Sequence, residues 1–310
     1  MKYALVRWVL DSSAFVNIPE DEYAQIKSAH KNLLEALFIE EKFDVVIDNY
    51  LEWEMDLLAA TTRDMVLQKV DYTFSWRDRN LFNRRLVNLL SACRAYVDQT
   101  RHHFSNIFGA ESGDVTRLKE YAAQQYNKCL GYRVMESLRN YVQHRGFPIH
   151  STTYEAQWVE SSSRSKLRFL LTPYVQTEDL EEDGNFKKAV LEEIKQFGGH
   201  IDLKPLVREY VASLGNMQEG TREILKAYTP GWEQTIQRAI DLFRKEHPEE
   251  QSLVGLVAAA QNSDETYDSP VYLHIVKDFV GHRKELERKN SNLRTLADRY
   301  ATSEILEPKT

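Results

Sequence analysis

The chain has 310 residues, 28% of them charged and 42% hydrophobic, a water-soluble globular composition and not a disordered one. That length suits one large domain or two ordinary ones and buries roughly 75% of the unfolded surface, so the core needs no covalent staples. Acidic residues outnumber basic ones by 47 to 40, a net charge of −7. This excludes a protein that grips nucleic acid through bulk positive charge and leaves room only for a local basic site.

Cys93 and Cys129 are the two cysteines, too few for a disulfide framework or a four-cysteine metal site. Both fall in helical patterns and read as buried, reduced thiols. No segment approaches the ~18 apolar residues that span a bilayer. The apolar stretch Tyr3–Leu10 is interrupted by Arg7 and is too short for a signal sequence. A cytoplasmic protein without membrane contact is expected.

Residues 3–10, rich in aromatic and β-branched types, predict a strand ending at Asp11-Ser-Ser. Pro19-Glu-Asp opens a helix with acidic residues in its first turn, as the helix dipole prefers. Its stripe runs through Ile26, Leu33, Leu34, Leu37 and Phe38, and a second runs from Phe43 to Leu58 through Val46, Ile47, Tyr50, Leu51 and Met55. Glu40-Glu41-Lys42 marks a short turn or a bend between them. A helix from Leu81 to about Phe108 carries Leu86, Leu89, Leu90, Cys93, Tyr96 and Val97 at helical spacing. Gly109 and Ser112-Gly113 break it. A second long helix follows, N-capped by Asp114, with apolar residues from Leu118 to Val142, and stops at Gly146 and Pro148. Two such helices joined by a short loop pack antiparallel.

Alternation returns at 153–159 and 167–175, flanking Ser161-Ser-Ser-Arg-Ser, and predicts a β-hairpin. Helices are then expected near 185–197, 203–214, 219–228, 231–246, 250–261 and 271–300, with a polar tail after about 301. The expected fold class is mainly α, a helical bundle with long antiparallel helices plus a small antiparallel β element. Residues 1–150 are expected to form a helical domain with an N-terminal strand. Residues 151–310 form the hairpin and a helical region in which no motif is found.

The hexapeptide Arg139-Asn140-Tyr141-Val142-Gln143-His144 carries the residues with chemistry to offer. Asn140 and His144 share a helix face, with Arg139 beside it. Such a trio suits RNA cleavage without a metal. A guanidinium holds the scissile phosphate bidentately, an imidazole moves a proton, and the amide orients either group. Arginine and histidine at a helix C-terminus also serve simply to satisfy the last carbonyls and the dipole.

The hexapeptide resembles the signature of the HEPN superfamily (higher eukaryotes and prokaryotes nucleotide-binding): Arg, a polar residue, three variable positions, His. The resemblance implies a helical bundle with the motif late on a long helix. It also implies a metal-independent, cofactor-free endoribonuclease whose two motifs meet in a homodimer, leaving a 2′,3′-cyclic phosphate and a 5′-hydroxyl. Arg139 and His144 would be the catalytic pair and Asn140 their polar support. RNA is the implied substrate. A toxin or phage-defence setting with a neutralising or regulatory protein partner is implied as well. Gly146 stands where toxin members of the superfamily often carry a tyrosine. Arg145 and His150 repeat the spacing, but Gly146 and Pro148 between them preclude a continuous helix, so the first pair is preferred.

Other polar groups are supporting candidates. Arg94, Asp98 and His102 recur every four residues, either lining the same cleft or forming a solvated face. Glu136 precedes Asn140 by one turn and either orients the motif or makes a surface ion pair. His102-His103 lacks carboxylates at metal spacing. Arg164, Lys166 and Arg168 place basic residues on the hairpin. P-loop, G-x-G-x-x-G, HExxH and G-x-S-x-G motifs are absent from the sequence. A non-catalytic RNA- or nucleotide-binding module and a protein-interaction scaffold are the alternative functions.

Overall fold

The structure, a computed structural model, describes residues 1–10, 12–68, 71–160, 165–182, 184, 186–250, 252–262, 267 and 270–301. The expected hairpin turn with Arg164, and the tail beyond 301, lie outside the described residues. The fold is mainly α with a small antiparallel β element. Two compact units make it up, one of residues 1–44, 95–120 and 218–291, the other of 45–94, 121–217 and 292–310. Each is assembled from segments on both sides of residue 150.

In the first unit, β1 (Lys2–Arg7) pairs antiparallel with β2 (Phe15–Asn17) and with β6 (Leu256–Gln261). β6 in turn pairs with β7 (Val271–Tyr272), giving the order β2-β1-β6-β7. The predicted helix over 250–261 is therefore a strand. Its Leu-Val-Ala-Ala-Ala run is buried on both faces, and a short apolar run of that kind carries no period that separates strand from helix. The helix expected over 271–300 is likewise shorter, α9 (Val276–Lys289), with β7 before it. Leu5, Ile26, Leu33, Ile236, Ile240, Phe243, Leu256 and Ala258 close the core between the sheet, α8 (Thr229–Glu246) and α1 (Glu20–Leu67).

α1 is continuous through Glu40-Glu41-Lys42. Its buried positions keep one helical phase from Ile26 through Ala36, Ile39 and Phe43 to Tyr50, Trp53 and Ala60. Glu40 is no turn residue. It is 1% exposed and accepts two hydrogen bonds from Arg222 of α7 (Leu203–Lys226), at 2.9 and 2.7 Å. α7 runs unbroken where two helices, 203–214 and 219–228, were expected. α2 (Tyr72–Phe108) begins well before Leu81. In this unit it runs antiparallel to α1, with His103 Nδ1 2.6 Å from Glu35 Oε2 and Phe43 against Tyr96.

In the second unit the same two helices remain antiparallel: Arg85 bonds Asp56 at 2.6 Å, Arg63 bonds Asp78 at 2.6 Å, and Trp53 packs on Phe82. The predicted long helix from 114 is two helices, α3 (Gly113–Lys128) and α4 (Leu130–His144). Ser112, not Asp114, caps the first, its Oγ accepting from Val115 N–H. Between the two, Cys129 is extended and caps α4 through its Sγ, which accepts from Tyr132 N–H. Glu209 of α7 accepts from Gly131 N–H at 3.0 Å, and the missing Cβ of Gly131 lets the α4 start press against the Leu206 carbonyl. This capping of free N–H groups from a neighbouring helix explains a break that helix periodicity cannot show. α4 lies antiparallel to α2, as expected for the pair: Asn83 bonds both backbone groups of Ile149, and Arg94 is 3.7 Å from Glu136. The hairpin of β3 (Ser151–Val159) and β4 (Lys166–Gln176) is continued by β5 (His200–Asp202). α5 (Thr177–Glu182) and α6 (Lys188–Lys195) connect the last two.

Candidate functional site

α4 buries Tyr132, Val134, Met135 and Leu138 and sends its last turn outward. Arg139 is half-buried, while Asn140 and His144 are exposed. Arg139 Nη1 donates to Asn140 Oδ1 at 3.0 Å. His144 is the final residue of α4, where a helix favours a cationic side chain. The chain leaves the helix at Arg145, whose N–H donates to the Tyr141 carbonyl. His150 thus lies off the helix that carries His144.

The supporting candidates part company. Glu136 accepts from Tyr210 OH at 2.7 Å and faces Arg94. Tyr210 and Cys93 are fully buried beside it, and burial pushes both far above their ordinary pKa values. Glu136 and Arg94 therefore tie α4 to α7 and α2 through a partly exposed polar contact. Asp98 and His102 belong to the other unit, where Asn106 Nδ2 donates to His102 Nε2 at 3.2 Å. Lys166 pairs with Val159 and Arg168 with Gln157 across the hairpin. Among the described residues, no group of three or more His, Cys, Asp or Glu side chains is placed to hold a metal ion.

One face of α2 builds a feature that sequence reasoning missed. Trp76, Arg79, Asn80, Asn83, Arg84 and Val87 recur at helical spacing and floor an open cavity of about 830 Å³. Tyr141, Phe147, Ile149, His150 and Asp179 wall it on the other side. The motif thus touches the cavity through Tyr141, whose ring lies 6.0 Å from that of His150. His150 is nine-tenths buried and its Nδ1 is 2.8 Å from Asp179 Oδ2, also accepting from Gln176 N–H. Burial pulls its pKa below the ordinary histidine value, against the pull of the Asp179 carboxylate. Its Nε2 is buried with no hydrogen-bond partner. The available signal was the mixture of aromatic, Arg and Asn residues on one stripe, which by period alone reads as an ordinary polar helix face.

Comparison of the chain with protein-family models, with curated proteins and with solved structures found no match.

Proposed function

We propose that the chain is a metal-independent endoribonuclease of the HEPN type, acting on RNA as a homodimer. The observation that carries this reading is the side-chain bond from Arg139 to Asn140 on an exposed helix end that also presents His144. Arg139 would hold the scissile phosphate and stabilise its developing charge. His144 would take the 2′-hydroxyl proton or give one to the leaving oxygen. Five residues of helix turn the two side chains about 140° apart around α4. Two copies facing each other would let Arg139 of one act with His144 of the other.

The same angle favours a second reading, a module that binds RNA or a nucleotide through Arg139 without cutting. RNA incubated with the full chain in EDTA separates the two. The nuclease reading expects 2′,3′-cyclic phosphate ends from the wild type and none from Arg139→Ala or His144→Ala. Cleavage that survives in the double variant would discard the site. RNA binding without cleavage by the wild type would favour the second reading.

A further inference from the structure

We propose that the cavity between α2 and the 141–150 segment is a binding site for a nucleoside phosphate, either a free nucleotide or the end of a single-stranded RNA. The site is separate from Arg139 and His144, neither of which lines it. The proposal stands whether or not those residues cut RNA.

The volume of about 830 Å³ falls in the range of small-molecule sites. Its walls combine the groups that such a ligand needs. Trp76 is 51% and Phe147 63% exposed, large rings left open to solvent at a concave surface. Unpaired bases stack on rings of this kind and on guanidinium planes. Arg84 is exposed, and no side chain among the described residues pairs with it. Arg79 spends one N–H on the His150 carbonyl and keeps the rest of its donor fork for phosphate oxygens. Two guanidiniums against the single carboxylate of Asp179 make the cavity cationic in a chain of net charge −7.

A second observation comes from the wall. The unpartnered Nε2 of His150 belongs to a side chain only 10% exposed. A buried imidazole nitrogen without a partner is costly, and a polar ligand edge or a ligand-ordered water satisfies it. Asn80 offers an amide for the base edge, and Asp179, 45% exposed, an acceptor for ribose hydroxyls.

Calorimetric titration of the full chain tests this with AMP, ribose 5-phosphate, adenosine and a 5′-phosphorylated single-stranded oligoribonucleotide. AMP or the oligonucleotide is expected to bind, and ribose 5-phosphate and adenosine at least tenfold more weakly. Tighter binding of the oligonucleotide assigns the site to RNA ends, and equal or tighter binding of AMP to free nucleotides. Trp76→Ala and Arg84→Ala, both at exposed positions, should each weaken binding about tenfold or more. The proposal falls if neither AMP nor the oligonucleotide binds up to about 1 mM. It also falls if ribose 5-phosphate binds as well as AMP. Binding that follows Arg139 and ignores Arg84 and Trp76 would place the nucleotide on the motif and overturn it too.

Discussion

Replacing Gly131 with alanine tests the account of where α4 begins. A Cβ there would stand 2.5 Å from the Leu206 carbonyl oxygen, 2.7 Å from Glu209 Cβ and 2.9 Å from Glu209 Oε2. Comfortable carbon contacts lie at about 3.5–4.0 Å. The nearest atom is backbone in the first turn of α7, fixed by the helix, so it cannot swing aside. α4 must move away instead, which strains the packing by about 1–3 kcal/mol. The movement also stretches the bond from Gly131 N–H to the Glu209 carboxylate, a charge-assisted bond contributing about 1.5–3 kcal/mol. Alanine's better helix propensity offsets up to about 1 kcal/mol. The net expectation is a loss of about 3 kcal/mol, seen as a fall in Tm of about 6–12 °C. Gly281→Ala is the control, since it lies within α9 with nothing within 4 Å of its Cβ position. It should stabilise by about 0.5–1 kcal/mol. Thermal unfolding followed by circular dichroism measures both variants. A Gly131→Ala protein as stable as the wild type would refute the close approach of α4 to α7.

Asp78 is 1% exposed and accepts from Arg63 and from Tyr154 OH, each at 2.6 Å, so it joins α1 and β3 to α2. Asp78→Ala leaves both donors without their acceptor and should cost about 3 kcal/mol in urea unfolding. Tyr154→Phe should cost about 1 kcal/mol, and equal losses in the two variants would contradict this account. Burial holds the pKa values of His30 and His150 below the ordinary histidine value. Both stay neutral in the fold while the unfolded chain takes up protons below about pH 6.5, so stability is lost as pH falls through that value. The urea midpoint should therefore drop between about pH 7 and about pH 5, and less steeply in His150→Gln. A variant whose pH dependence matches the wild type would remove His150 from this effect.

The strongly periodic stretches were legible without coordinates: α1 and α2 carry long apolar stripes, and the hairpin of β3 and β4 shows its alternation. So was the stop of α4 just after His144, because a Gly and a Pro downstream must end a helix there. These are local properties, set by a few neighbouring residues and their rotation per residue. Other features depended on partners far along the chain. β6 is a strand because β1 lies some 250 positions away and supplies its ladder. α4 begins at Leu130 because Glu209 satisfies its free N–H group. Glu40 is buried because Arg222 meets it. The cavity joins Trp76 and Arg84 of α2 to Phe147, His150 and Asp179. A pattern of residues records which face of an element is apolar, and only tertiary packing decides which distant group that face meets.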